Sequence, residues 1–229
     1  MSRASLLSLA LVAMSALALF ASLSLGPVPL AHPFDDAAET QTIVWQIRFP
    51  RALTAWLVGA ALGLSGAALQ GLLRNPLADP GVLGLSGFAA LGAVLAFAFG
   101  FAAYAPPMAL LFALVGAVLV TMLGWSNRGP ATLVLIGVGL SSMAGGLIAL
   151  VLNLAPNPGA LADLVNWTLG SVEGRSLNDV ALVGAFLAAG AALIFAAARG
   201  LQALTLGEES AAAIGADIAR TRVLVVLGA

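Results

Sequence analysis

The protein has 229 residues, of which 61% are hydrophobic and only 8% are charged, and its mean hydropathy is +1.07. Soluble domains contain about 25% charged residues, so this composition excludes an ordinary water-soluble domain. The net charge of −1 and the absence of lysine leave no basic surface for nucleic acid, and the absence of cysteine excludes disulfides and thiolate metal sites.

Long stretches without Asp, Glu or Arg are the strongest pattern in the sequence. A helix needs about 20 apolar residues to cross the hydrocarbon, and an Arg at its centre costs about 2.5–3.5 kcal/mol. The apolarity is continuous and does not alternate as in strands, so we expect an all-α polytopic membrane protein. Six complete spans are predicted, with the start of a seventh, at about 5–26, 52–72, 84–101, 107–126, 131–153, 180–198 and 223–229.

The N-terminal window and the arginines set the expected topology. Arg3 and the apolar run after it also fit a secretory signal peptide. The apolar core of a signal peptide has about 7–15 residues and this run is longer, so a retained helix is favoured. A cytoplasmic N-terminus is predicted, because it puts six arginines inside and three outside. The outer three are Arg48, Arg51 and Arg175.

Two Asx-Pro pairs, Asn75-Pro76 and Asp79-Pro80, lie between the second and third windows. Each proline disfavours helix in the residue before it, so one helix ends and the next begins at the cytoplasmic face. The segment is either a helix hairpin turn or irregular backbone that lines a pathway.

Two loops contain patterns for short helices. Apolar residues at helical spacing in 154–179 predict an amphipathic helix at the outer surface, with Trp167 as an interfacial aromatic. In the cytoplasmic loop 199–222, a helix can begin at Thr205 or Gly207 and end at Gly215. Asp217 can then cap the helix that follows.

The ionisable residues do not indicate a catalytic or metal site. An ion-coupled carrier usually has a charge inside the membrane, and none of the predicted spans contains one. His32, near Asp35 and Asp36, lacks the converging ligands that a metal needs, and we expect it to be a solvated loop residue. No nucleophile, base and orienting group form a recognisable set. We therefore expect no metal, no bound cofactor and no catalytic residue.

Several separated motifs resemble the FecCD family, the permease subunits of type II ABC importers for iron-siderophore, haem and cobalamin. The motifs occur in the family's order: Arg48-Phe-Pro-Arg51, a glycine-rich helix through Gln70, Arg74-Asn-Pro-Leu-Ala-Asp-Pro80, Asn166-Trp-Thr-Leu-Gly-Ser171 and Leu204-Thr-Leu-Gly-Glu-Glu-Ser-Ala211. Because family permeases have about ten helices, the resemblance implies a single permease domain over 1–229 that is incomplete at its C-terminus.

The resemblance implies roles at the outer face and in the pathway. Arg48 and Arg51 would dock a periplasmic substrate-binding protein by pairing with its Glu residues. Snorkelling to lipid headgroups is the alternative. Asn75 and Leu77 would form part of a cytoplasmic gate. Ser141 and Ser142 are polar residues in the fifth span. They either face the pathway or bond to their own helix backbone.

The resemblance also assigns 199–222 as the coupling loop, which would sit in a groove of an ABC ATPase. The residues with this expected role are Leu206, Gly207, Glu208, Glu209, Ala211 and Gly215. ATP hydrolysis would belong to the ATPase, so this chain is expected to be a transporter subunit and not an enzyme. Its partners would be ABC ATPase subunits, a second permease copy (the same chain or a paralogue), a periplasmic binding protein and the lipid bilayer.

The expected function is the ATP-driven import of an iron-siderophore, haem or cobalamin-type ligand by alternating access. The chain would be a multi-pass protein of the bacterial inner membrane. The alternative is a non-transporting interaction or structural membrane protein, or an inactive remnant. A secondary transporter is less favoured, because the spans lack charge.

Overall fold

The computed structural model describes residues 3–26, 38–124 and 129–229, and every regular element within these ranges is helical. The expected all-α fold class is therefore confirmed. The predictions for His32 and its two neighbouring aspartates fall outside the described residues, as does the end of the window 107–126.

The described residues form ten α-helices joined by short turns. A π-helical segment, Ile43–Arg48, connects α2 to α3, and 3₁₀ turns at Pro80–Leu83 and Ala102–Tyr104 precede α4 and α5. The helices are α1 Arg3–Ser24, α2 Ala38–Thr42, α3 Phe49–Leu73, α4 Leu85–Ala98, α5 Ala105–Leu123, α6 Pro130–Leu154, α7 Ala160–Leu169, α8 Leu177–Leu204, α9 Glu208–Ala213 and α10 Ile218–Gly228.

Five helical stretches in the described part are long and apolar enough to span a membrane: Ser5–Ser24, Thr40–Leu73, Ala102–Leu123, Pro130–Leu154 and Leu177–Leu204. The third predicted window, 84–101, differs, because it contains α4, an apolar helix of only 14 residues. Most of the second half of α4 is buried in protein. A helix enclosed by protein does not need the length that a lipid-facing span requires.

The second helical stretch begins earlier than the window at 52 suggested. The π-helical segment just before Phe49 includes a hydrogen bond from the Phe49 N–H to the Val44 carbonyl. Pro50 follows, and it cannot donate to a carbonyl of the preceding turn, while its ring crowds that turn. The wider π turn accommodates the proline without ending the helix. Arg48 and Arg51 therefore lie within a continuous helix and not just outside one.

The chain divides into two compact units, one with Met1–Ala60 and Val172–Leu187, the other with Ala61–Ser171 and Ala188–Ala229. In the first unit, Trp56 Nε1 donates a hydrogen bond to Ser15 Oγ at 2.6 Å, which links α3 to α1. No residue in the apolar window Ser5–Ser24 is buried. A helix that exposes apolar side chains on all sides is suited to lipid.

The second unit contains two groups of packed apolar side chains. The larger group joins α3, α4, α5, α6, α8, α9 and α10, and Leu69, Val120 and Val225 are completely enclosed in it. The smaller group joins α4, α5 and α7. The predicted amphipathic helix of the loop 154–179 is confirmed as α7, and its Trp167 packs against this smaller group. Short helices and long spans thus share the same cores.

Close backbone approach between α4 and α5 makes a testable packing contact. A Cβ atom added to Gly92 would collide with the Met108 carbonyl, whereas one added to Gly63 in α3 would meet nothing within 4 Å. We expect Gly92→Ala to cost about 1–3 kcal/mol through overpacking. Gly63→Ala should stabilise by up to about 1 kcal/mol, because nothing opposes the added methyl and alanine is the better helix former. Thermal unfolding in detergent measures both variants, and equal melting temperatures would contradict the packing described.

Candidate functional site

Arg48 and Arg51 are predicted to act together, but the structure gives them different surroundings. Arg48 is only 7% exposed, and its Nη1 donates hydrogen bonds to the carbonyls of Leu23 and Ser24 at 2.9 and 2.8 Å. These carbonyls belong to the last turn of α1, where a helix leaves its carbonyls open and its dipole favours a cation. Arg51 is exposed. Arg48 therefore caps α1, and Arg51 is the more accessible for docking.

A cavity of about 690 Å³ lies within the first unit, and both arginines line it. Arg175 and Glu173 contribute further charges to its wall. The three arginines assigned to the outer face by the sequence are thus brought to one cavity. Their combined charge favours an acidic partner surface, and docking of a binding protein there stays a prediction.

The loop after α3 begins with an unusual backbone conformation. Arg74 has a φ of 48°, and the Asn75 N–H donates to the Gln70 carbonyl at 3.2 Å, as in a Schellman helix end. Asn75 Oδ1 then accepts from the Leu77 N–H at 2.9 Å. Leu77 is 85% exposed, an unfavourable position in water for a large apolar side chain. This exposure is compatible with the predicted gate role of Asn75 and Leu77, and that role stays a prediction.

Ser141 and Ser142 do not share a face of α6. Ser141 lies against Gly84, since a Cβ atom at Gly84 would come 2.9 Å from its Oγ. Ser142 is exposed, and its Oγ donates back to the Val138 carbonyl at 3.0 Å. Adjacent helical residues point about 100° apart, so the two serines have different surroundings, and their place in a pathway stays a prediction. Ser142 is the better candidate for a residue that faces the pathway. Its hydroxyl also bonds to its own helix backbone, which is the alternative role predicted from the sequence.

The predicted loop 199–222 begins later than expected, because α8 continues to Leu204, and the residues after it form a helical hairpin of α9 and α10. Of the two predicted starts, the structure selects Gly207, whose φ of 97° and ψ of 157° are almost exclusive to glycine. Glu208 and Glu209 occupy the first turn of α9. The predicted stop at Gly215 is confirmed by its φ of 82° and by the Schellman pair of hydrogen bonds from Gly215 and Ala216.

The hairpin has a buried side and an exposed side. Asp217 caps α10 as predicted, because its Oδ1 accepts from the Arg220 N–H at 2.9 Å. Ala211 is completely buried in the larger core, whereas Leu206 and Ile214 are 63% and 65% exposed. Ile214 was not singled out from the sequence. Its position just before Gly215 could have indicated it, because the turn that ends the helix is exposed and directs the Ile214 side chain outward.

Three charged residues, two of them in the hairpin, lie close together. The sequence did not predict this cluster. Glu208 Oε1 accepts from Arg222 Nη2 at 2.9 Å and lies 4.0 Å from Arg74 Nη2. The Arg222 side chain is only 9% exposed. Arginine positions in the sequence indicate topology, but no pattern reveals that residues 74, 208 and 222 converge. Among the described residues, no group of three His, Cys, Asp or Glu is placed to hold a metal.

Comparison with known proteins decides the family. The model of the FecCD transport family matches residues 7–229, nearly the whole chain. The chain belongs to this family. The resemblance found in the sequence is thereby confirmed, as is the expectation of a membrane protein of the ABC permease type.

Two named family relatives and one solved structure are similar to this chain. The ferric enterobactin transport system permease protein FepD of Escherichia coli is 39% identical over 81% of this chain and 57% of that protein. The cobalamin import system permease protein BtuC of Halobacterium salinarum is 36% identical over 84% of this chain and 53% of that protein. This chain thus spans just over half the length of these relatives.

The solved structure supports the fold. It is described as an inward-facing conformation of an ABC transporter assigned to the metal-chelate type. It superposes with a TM-score of 0.79 and 29% identity, covering 96% of this chain and 71% of that chain.

Single substitutions can distinguish the roles of Arg48 and Arg51. Arg48→Gln removes the charged cap from the two α1 carbonyls, so it should destabilise the attachment of α1 by about 1.5–3 kcal/mol. Arg51→Gln should leave this attachment intact. Hydrogen exchange of residues 20–25 measures the effect in each variant. Equal exchange in the two variants would remove the capping role from Arg48.

Gly207 offers a second test, because its backbone conformation excludes other residues. Gly207→Ala should cost about 1–3 kcal/mol and loosen the start of α9. The amides of residues 208–214 should exchange faster in this variant than in Ser210→Ala, which changes an exposed side chain on the same helix. Unchanged protection of α9 in Gly207→Ala would show that the backbone is not strained there.

Proposed function

We propose that this protein is the permease subunit of an ABC importer that moves an iron-siderophore, haem or cobalamin-type ligand into the cell by ATP-driven alternating access. The observation that carries the proposal is the hairpin of α9 and α10. In a family of transport proteins, it exposes Leu206 and Ile214 at the two ends of α9, while Ala211 between them is buried in the larger core. Docking against a partner would remove both exposed side chains from water, which favours binding.

The hairpin can act as a lever because its base is rigidly packed. Ala211 of α9 lies in the same buried group as Leu72 of α3 and Val226 of α10. Close-packed interiors transmit displacement and do not absorb it. A partner that pushes α9 would therefore move the helices that share this core, which is the motion that alternating access requires.

The partners follow from this assignment. Two ABC ATPases would bind the hairpins of two permease copies and hydrolyse ATP, so this chain would not itself be an enzyme. A periplasmic binding protein would dock at the arginine-lined cavity, chiefly through Arg51. The protein would reside in the bacterial inner membrane with a cytoplasmic N-terminus. The second permease copy would be either the same chain or a paralogue.

Transport itself is tested in proteoliposomes that contain the protein with its ATPase and binding protein. The probes are ferric enterobactin, haemin and cyanocobalamin. We expect one of them to accumulate only when ATP is present. If the ATPase binds but none of the three probes accumulates, the proposed importer function is wrong and a non-transporting interaction role is favoured.

The coupling surface is tested by changing its two exposed apolar side chains. Replacing Leu206 and Ile214 by Ser should weaken ATPase binding about tenfold or more, because burying one such side chain contributes about 1.5–3 kcal/mol. Leu169→Ser in α7 is the control, since it changes an apolar side chain outside the hairpin that is at least as exposed. Titration of detergent-solubilised protein with the ATPase gives both affinities. Equal affinities would refute the assigned docking surface.

A further inference from the structure

One carboxylate stands between the predicted gate loop and the predicted coupling helix. Glu208 is the first residue of α9, and Arg74 is the residue that ends α3 and begins the loop with Asn75 and Leu77. A single oxygen, Glu208 Oε1, faces the guanidinium groups of both Arg74 and Arg222. The two arginines come from different helices, so the carboxylate joins three elements of the second unit.

The two contacts differ in strength. The Arg222 contact is a charge-assisted hydrogen bond of 2.9 Å, and the side chain of Arg222 is almost fully enclosed. Losing its counter-ion would leave a buried charge uncompensated, so this pair should persist. The Arg74 contact is 4.0 Å long and 43% of the Arg74 side chain is exposed. A pair of that kind is weak and is screened by salt. Arg222 therefore holds Glu208, and Glu208 holds Arg74 loosely.

The backbone conformation of Arg74 suggests what its contact with Glu208 does. A positive φ is uncommon for a residue with a side chain, and it persists only where the surroundings select it. The hydrogen bond from the Asn75 N–H to the Gln70 carbonyl is one such contact. Attraction between Arg74 and Glu208 is the other, because it draws the side chain towards the start of α9. Arg74 also lies beside Gly207, since a Cβ atom there would lie 3.8 Å from Arg74 Nη1, at ordinary van der Waals distance.

We propose that Glu208 is a positioning residue that ties the loop of residues 74–79 to α9 through Arg74, while Arg222 keeps Glu208 in place. The mechanical tie is a property of this chain alone. Its consequence rests on the proposed function: when an ATPase displaces α9, the loop with Asn75 and Leu77 moves with it. Coupling helix and gate would then be joined directly, in addition to their link through the shared core.

The test is amide hydrogen exchange of the protein in lipid nanodiscs, without ATPase or ligand. The variants are Arg74→Gln and Glu208→Gln, and the control is Glu209→Gln, the same change at the exposed neighbouring residue. We expect Arg74→Gln to accelerate exchange at Asn75, Leu77 and Ala78 about two- to fivefold while α9 stays protected. Glu208→Gln should accelerate exchange in both segments, and Glu209→Gln in neither.

Salt separates an ionic tie from a purely structural effect of the substitution. Raising the salt concentration to about 1 M shortens the Debye length to about 3 Å, so it should accelerate exchange of the loop in the unmodified protein. It should have little effect in Arg74→Gln, which has already lost the pair. If Glu208→Gln fails to fold, Arg74→Gln alone decides the question. Loop exchange in Arg74→Gln equal to that of the unmodified protein would overturn the proposal.

Uptake distinguishes failure of the tie from failure of the importer assignment. In proteoliposomes, Arg74→Gln should still bind the ATPase but should accumulate less ligand per ATP hydrolysed. Undiminished coupling in this variant, with transport intact, would overturn the role of the tie in transport. If the unmodified protein transports nothing, the proposed function fails, while the exchange result still decides whether Glu208 positions the loop.

Discussion

The hydrocarbon cannot hydrogen-bond a backbone group or solvate a charge, and this constraint governs the placement of polar groups in the protein. Several charged residues of the described part complete bonds that helix ends leave open. Arg48 binds the last carbonyls of α1, and Asp217 binds an N–H group at the start of α10. Glu208 and Arg222 neutralise each other where α9 and α10 meet. The few charges therefore stabilise the junctions between helices.

Lipid is as apolar as leucine, so helices within it associate through close packing and not through the exclusion of water. Small residues permit this approach. Gly92 of α4 lies against the Met108 carbonyl, and Gly137 of α6 lies against the Val82 carbonyl. The same dense packing encloses α4, which is too short to span the membrane alone. It also makes the base of α9 part of the larger core, from which the proposed lever action derives.

Features that depend on neighbours along the chain could be predicted from the sequence. The apolar windows located long helices, Gly215 and Asp217 located the turn between α9 and α10, and the spacing in 154–179 located α7. Features that depend on helix rotation could not be predicted. Ser141 and Ser142 are adjacent in sequence but point to different sides of α6. Hydropathy gives the length of a span and not its orientation about its own axis, so no pattern separates the two serines.

The sequence by itself determined the all-helical membrane class, most of the spans and the local signals that begin and end helices, because these follow from apolar length and backbone preference. Only the tertiary structure decided which charges meet. Arg48 becomes buried because its guanidinium binds the last carbonyls of α1, and Arg51 stays exposed. Arg74, Glu208 and Arg222 converge because α3, α9 and α10 share one core. Contacts between residues more than a hundred positions apart depend on packing geometry, which local sequence does not encode.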